Sequence, residues 1–203
     1  MMKSKSEQRS LWMNLIPGST LVVLLLGGGA ILGLGAAAKT VDLSNLIAVN
    51  APAPELVGDG WLNTPGDAPI TLASRRGKIT IVHFWTFGCI NCRHNLPSYA
   101  RWQQQFADAN VVVIGVHTPE FESERITANV ARRVKELGIT YPVLLDPHNA
   151  NWNRWQQQYW PTVYLIDKRG RIRYRWVGEL EYNHAGGEAK IAELVSELLK
   201  EKP

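Results

Sequence analysis

The sequence predicts an α/β domain with a central mixed β-sheet flanked by helices, placed after an N-terminal transmembrane helix. Three observations predict it. Two apolar, β-branched runs, KITIVHFW (78–85) and NVVVIGV (110–116), alternate with segments of helical spacing, as in strand–helix–strand units. A strand–turn–strand pattern follows at 162–177, so part of the sheet is antiparallel. Ahead of all this, Ser10 to Ala38 carries no charge.

Thr20–Ala38 (TLVVLLLGGGAILGLGAAA) is almost wholly apolar and long enough to span a bilayer core as a helix. Lys3, Lys5 and Arg9 precede it, while Lys39 on the far side is offset by Asp42. The positive-inside rule leaves the N-terminus in the cytoplasm and everything after Lys39 outside. Residues 1–38 read as a retained signal anchor in preference to a cleaved signal peptide, which would use Ala36-Ala37-Ala38. Both readings export the domain. Residues 39–57 read as a linker ending in the proline-broken APAPEL, and 58–203 as the folded domain.

Within that domain, Gly77 bounds the buried strand 78–85. Asn91–Phe106 has helical spacing through Leu96, Tyr99, Trp102 and Phe106, with Pro97 as an expected kink. After the strand 110–116, Glu120–Leu137 predicts an amphipathic helix closed by Gly138. A short strand at Pro142–Leu145 and a short helix at Ala150–Gln158 follow. Trp152, Trp155 and Tyr159 would then share one core-facing helix side. Thr162–Ile166 and Arg171–Val177 form the hairpin, and Glu188–Leu199 a final helix. Arg171, Arg173 and Arg175 line one side of their strand, read as a solvated face in preference to a contact for anionic lipid.

Composition narrows the function. The chain of 203 residues is 45% hydrophobic and 20% charged, which excludes a disordered or polytopic membrane protein. Its net charge of +4 lies partly in the N-terminal segment, too weak a bias for nucleic-acid binding. The only two cysteines, Cys89 and Cys92, form one C-x-x-C, so a disulfide-stapled scaffold is excluded.

Cys89 falls just past the strand 78–85, at the mouth of the next helix. Backbone N–H groups there stabilise an anion, so Cys89 is placed to be a thiolate near neutral pH. Cys92, one turn on, is placed to attack a mixed disulfide and release its second partner. The competing readings are weaker. C-type haem attachment needs histidine directly after the second cysteine, where Arg93 stands. Structural zinc needs four ligands, and only His83 and His94 lie near in sequence. An inert bridge this short constrains little chain entropy.

The strings FWTFGCINCRHNLP, IGVHTPEF and YWPTVYLID resemble thioredoxin-fold proteins, more narrowly TlpA-like membrane-anchored oxidoreductases. They are most similar to the C-terminal thioredoxin-like domain of DipZ-type disulfide reductases, and NHL-repeat proteins carry a similar domain. The resemblance covers roughly residues 52–200. It implies a thioredoxin fold, Cys89 as exposed nucleophile, Cys92 as resolving thiol, and a redox-active disulfide in place of any cofactor. It also implies that Pro161 is a cis-proline facing that disulfide, with the Trp160 backbone offered to a client strand. Where thioredoxins carry a buried acid, this chain has His83, read either as a proton carrier or as a core histidine satisfied by one hydrogen bond. Trp85 is expected to pack under the site, with Phe87 in the same surround. His117 and Glu120 follow the strand ending at Val116, at the carboxyl end where sites form; Glu120 reads as a first-turn acid on the helix dipole in preference to a site residue.

The expected function is a membrane-tethered, extracytoplasmic thiol:disulfide oxidoreductase. Its expected partners are protein thiol or disulfide clients, including those of cytochrome c maturation, and a membrane reductase of the CcdA or DsbD type. Two alternatives stay open. Thr86, three residues before Cys89, matches part of the peroxiredoxin pattern, although Val82 stands where that pattern has proline. A non-catalytic peptide-binding module is the other.

Overall fold

The computed structural model describes residues 41–58 and 60–203. The predicted membrane segment and the start of the predicted linker lie outside the described residues. Among those described, no helix is long and apolar enough to cross a membrane.

Seven strands form one sheet: β1 (Leu46–Pro52), β2 (Trp61–Leu62), β3 (Ile79–Trp85), β4 (Val111–His117), β5 (Val143–Leu145), β6 (Thr162–Ile166) and β7 (Arg171–Val177). Their order is β1-β7-β6-β3-β4-β5-β2. The centre, β3-β4-β5, is parallel, while β6 runs antiparallel to β3, β7 to β6, β1 to β7 and β2 to β5. The helices are α1 (Ile90–Gln105), α2 (Thr127–Glu136), α3 (Ala150–Arg154) and α4 (Gly187–Lys200).

Both faces of the sheet are covered, which is why β3 is buried at every position. Ile79, Ile81 and Trp85 project to one side, into a core shared with Tyr99 and Trp102 of α1, Val130 and Val134 of α2, and Leu194 and Val195 of α4. Val82 and Phe84 project to the other, against Leu56, Leu72 and Trp155. Fully burying each such side chain contributes about 1.5–3 kcal/mol. Pro97 lies inside α1 without ending it.

Three expectations change. Residues 46–52, expected as linker, form β1, whose ladder on β7 runs from Leu46 opposite Trp176 to Pro52 opposite Arg171. The strand was hard to see because its exposure does not alternate cleanly and its register slips between Ala48 and Ala51. The helix expected over 120–137 begins only at Thr127. A short 3-10 turn at Glu122–Glu124 precedes it, and Ile126 is extended. The helix expected over 150–158 stops at Arg154, and Gln156 takes a left-handed conformation (φ 53°). Trp155 stays buried, but Tyr159 therefore leaves the core and is 60% exposed. Of the arginines on β7, Arg171 bonds Asn50 and Arg173 pairs with Asp167 and Glu201.

Chains starting at residue 39 and at residue 53 differ by β1 and its lead-in. Removing that strand uncovers the β7 edge and the partly buried Leu46 and Val49. The shorter chain is expected to melt roughly 5 °C or more below the longer; equal melting temperatures would return 46–52 to the role of a spacer.

Candidate active site

Topology brings the site together. Parallel β3 and β4 end on the same side of the sheet, with Trp85 paired to His117. Antiparallel β6 starts at that same end, with Thr162 opposite Phe84. The turn after β3, the end of β4 and the residues before β6 therefore converge, and Cys89, His117 and Pro161 come from these three places.

Thr86, Phe87 and Gly88 lead from β3 to Cys89, which is the N-cap of α1, in extended conformation (φ −76°, ψ 118°). Its Sγ stands where a capping oxygen normally would, accepting the Cys92 N–H at 3.4 Å. Cys89 is half-buried, Cys92 is buried, and both are free thiols. Hydrogen bonding from the Cys92 thiol, joined by the backbone N–H groups of Cys92 and Asn91, lowers the Cys89 pKa to about 6, against burial and the charge of Glu120. Cys92 moves the other way: burial first, then the neighbouring Cys89, push its pKa well above that of a free thiol. One sulfur is thus an anion at neutral pH and the other holds its proton.

His83 is fully buried, stacked on Tyr99 (centroids 3.8 Å apart) and edge-on to Tyr141 (5.3 Å). Neither ring nitrogen makes a hydrogen bond among the described residues, so the expected single satisfying bond is absent there. Burial pulls its pKa down to about 3, and the imidazole is neutral. Trp85, also fully buried, lies edge-on to His117 at 5.1 Å. Gly115 makes room for both: a Cβ there would stand 2.9 Å from His83 Nε2 and 3.0 Å from Trp85 Nε1.

His117 is 1% exposed and stacks on Phe87 at 5.5 Å. Burial lowers its pKa to about 4, opposed by the charge of Glu124. Arg133 of α2 caps the Phe87 ring, its Cζ 5.6 Å from the centroid. Glu120 is exposed and its charge acts on both cysteines. It is not a first-turn acid, because α2 starts seven residues later, at Thr127.

The Trp160–Pro161 peptide bond is cis. The Pro161 carbonyl accepts the Gly178 N–H at 2.8 Å, whereas the Trp160 N–H and C=O bond no other backbone group among the described residues. The Trp160 ring stacks on Trp152 at 4.0 Å. His94, weighed above as a zinc ligand, is exposed and bonds Glu179 Oε2 at 3.1 Å. Among the described residues, no group of three or more histidine, cysteine or acidic side chains could hold a metal ion.

Glu124 escaped the sequence reading. It is 1% exposed, and its Oε1 accepts the Gly88 N–H at 2.8 Å while Oε2 accepts those of Glu120 (2.7 Å) and Phe121 (3.1 Å). A Cβ on Gly88 would stand 2.6 Å from Oε1, so the residue before the nucleophile must be glycine for this contact to form. The only trace in the sequence is an acid in the loop after a buried strand.

This arrangement of sheet, helix-capping cysteine and cis-proline defines a thioredoxin-like domain with a dithiol site. A model of the AhpC/TSA family matches residues 49–175, and the chain belongs to that family. It is 47% identical over 132 residues to Protein DipZ of Mycobacterium bovis and of Mycobacterium tuberculosis, covering 64% of this chain but 19% of those proteins. The chain therefore spans about a fifth of the length of the DipZ proteins. It is 30% identical over 129 residues to the thiol-disulfide oxidoreductase YkuV of Bacillus subtilis, covering 63% of this chain and 84% of that one. A solved thioredoxin-like superfamily protein superposes with a TM-score of 0.66 at 26% identity, over 75% of this chain and 98% of that one.

In the reduced protein, alkylation of Cys89 by iodoacetamide is expected to be half-maximal near pH 6 and to fall about tenfold for each unit below it, as the thiolate is protonated. Cys92 should stay unmodified at neutral pH. A midpoint near the ordinary thiol value of about 8.5 would show that the helix mouth does not hold the anion. Gly115→Ala should cost about 1–3 kcal/mol in urea unfolding, since fully buried rings must move to admit the methyl group.

Proposed function

We propose that the protein is a thiol:disulfide oxidoreductase that reduces disulfides in extracytoplasmic proteins. The observation that carries this reading is the split between the two sulfurs: an accessible Cys89 held as a thiolate, and a buried Cys92 that keeps its proton one turn away. The named activity of YkuV supports it as well.

The Cys89 thiolate attacks one sulfur of a client disulfide, and the other client sulfur leaves as a thiolate that takes a proton. Cys92 then loses its proton and attacks Cys89 Sγ. This breaks the mixed disulfide, frees the second client thiol and forms the Cys89–Cys92 bond. In sum, the client gains two electrons and two protons, and the dithiol becomes a disulfide. A separate dithiol donor restores the pair; the resemblance to membrane-anchored oxidoreductases suggests a membrane reductase of the CcdA or DsbD type. Cytochrome c maturation is the client pathway this resemblance favours.

Three further parts of the chain have proposed roles. His83 is neutral at working pH and its ring nitrogens are unbonded among the described residues, which leaves a lone pair for the Cys92 proton. The Trp160 backbone, unpaired beside Pro161, suits an extended client segment. The apolar run at 20–38 is proposed as the anchor that keeps the domain at the outer face of a membrane. The buried resolving thiol so near Cys89 favours disulfide exchange over the peroxidase and binding-module readings.

The deciding measurement is the reduction potential of the pair, followed by tryptophan fluorescence in glutathione or dithiothreitol buffers. A two-electron transition below about −230 mV supports a reductant, and one above about −180 mV makes the protein an oxidant or isomerase. In parallel, Cys92→Ser should trap mixed disulfides with clients, and Cys89→Ser should abolish exchange. No transition, or full exchange by Cys89→Ser, would remove this function.

A further inference from the structure

Phe121 is 57% exposed, an unusual position for a phenylalanine. Its backbone is nevertheless pinned from beneath. Glu124, almost wholly buried, accepts the Phe121 and Glu120 N–H groups on one carboxylate oxygen and the Gly88 N–H on the other. One carboxylate thus ties the loop after β4 to the turn that carries Cys89. It also presses the Phe121 ring against that turn: Cδ2 and Cε2 lie 3.1 Å from where a Gly88 Cβ would be. Ile90, directly after Cys89, is 52% exposed. An exposed aromatic whose loop is held by three charge-assisted bonds is preorganised rather than mobile, which is what a binding wall requires.

We propose that Phe121 is a specificity-determining residue of this site and that Glu124 is the positioning residue that sets it. Phe121 and Ile90 form the apolar wall beside the nucleophile, and Glu124 holds the loop that carries Phe121. The occupant is an extended client segment with an apolar side chain next to its disulfide-bonded cysteine. The Trp160 backbone edge is available to pair with such a segment. The Glu120 charge on this loop further disfavours an acidic side chain there. The inference rests on the disulfide-reductase reading and names the class of client it would take.

Glutamate is required for the positioning because both oxygens accept from N–H groups. A glutamine offers one oxygen and one N–H₂, so it must abandon either the Gly88 turn or the Phe121 loop. Aspartate is one methylene shorter.

The test uses the reduced full chain in detergent with two short peptides, each carrying one cysteine as a mixed disulfide with glutathione. In one the cysteine is flanked by leucine, in the other by serine. Each turnover takes two electrons from the Cys89–Cys92 dithiol, releases peptide thiol and glutathione, and leaves the protein disulfide. The readout is the ratio of second-order rate constants, leucine-flanked over serine-flanked. The wild type should favour leucine by about tenfold, the scale of discrimination an apolar contact supplies. Phe121→Ala, at a surface position that folding tolerates, should bring the ratio close to one, and Phe121→Leu should restore most of it. Glu124→Gln should lower the ratio in the same direction, and adding Phe121→Ala to it should lower the ratio no further, because the two act through one ring. A merely structural role for Glu124 would slow both peptides alike and leave the ratio intact, which overturns the proposal. A ratio near one in the wild type, or one unchanged by Phe121→Ala, overturns it too, with reductase activity still standing. If the wild type releases no thiol from either peptide, the reductase reading fails and the inference fails with it.

Discussion

The mouth of α1 is the constraint on which the site depends. A helix begins with N–H groups that lack partners, and here a sulfur, not an oxygen, answers them. The contact that satisfies the helix therefore also helps to activate the nucleophile, alongside the hydrogen bond from the Cys92 thiol. Any change that tilts α1, shifts the end of β3 or loosens the Gly88 turn alters both capping and reactivity. The bulk of the core on that side of the sheet, from Tyr99 and Trp102 to Val130 and Leu194, serves to hold the helix start in place.

The two cysteines differ because they meet this helix differently. Cys89 sits outside the first turn and gathers donors, while Cys92 is inside it, against a wall of buried rings. In the core that Cys92 shares with Tyr99 and Tyr141, the acid that the thioredoxin resemblance implies is replaced by His83, boxed by those two rings. A buried carboxylate without a partner would titrate upward, whereas the buried imidazole is driven neutral and stays so. The box therefore adds no fixed charge to the core that buries the resolving thiol. The buried Glu124 carboxylate is instead held by three N–H groups, from the turn before Cys89 and the loop after β4.

Gly88 and Gly115 show how tightly these pieces are fitted. Neither is required by backbone conformation; each is required because a neighbouring side chain occupies the space of its missing Cβ. One admits Glu124 to the nucleophile's turn, and the other admits the His83 and Trp85 rings to the centre of the sheet.

Much of this was legible in the amino-acid order. The strands at 79–85 and 111–117, the helix after Cys89, the hairpin and the last helix follow from local periodicity, and the motif around Cys89-Ile90-Asn91-Cys92 marks its own chemistry by its place between a strand and a helix. What stayed hidden depends on contacts between residues distant in sequence. The strand 46–52 exists because β7 offers it an edge, and its own pattern alternates too weakly to announce it. The helix expected from Glu120 starts only at Thr127: Glu122–Glu124 makes a short 3-10 turn and Ile126 is extended, while the Glu124 carboxylate gathers the Glu120 and Phe121 N–H groups together with that of Gly88, a contact distant in sequence. Glu124 itself reads as one acid among several in a charged stretch. The sequence determined which groups can react and where the sheet's central strands run. Only tertiary structure decided which carboxylate is buried and which aromatic is left exposed, because burial and partners are properties of the assembled surfaces, not of spacing along the chain.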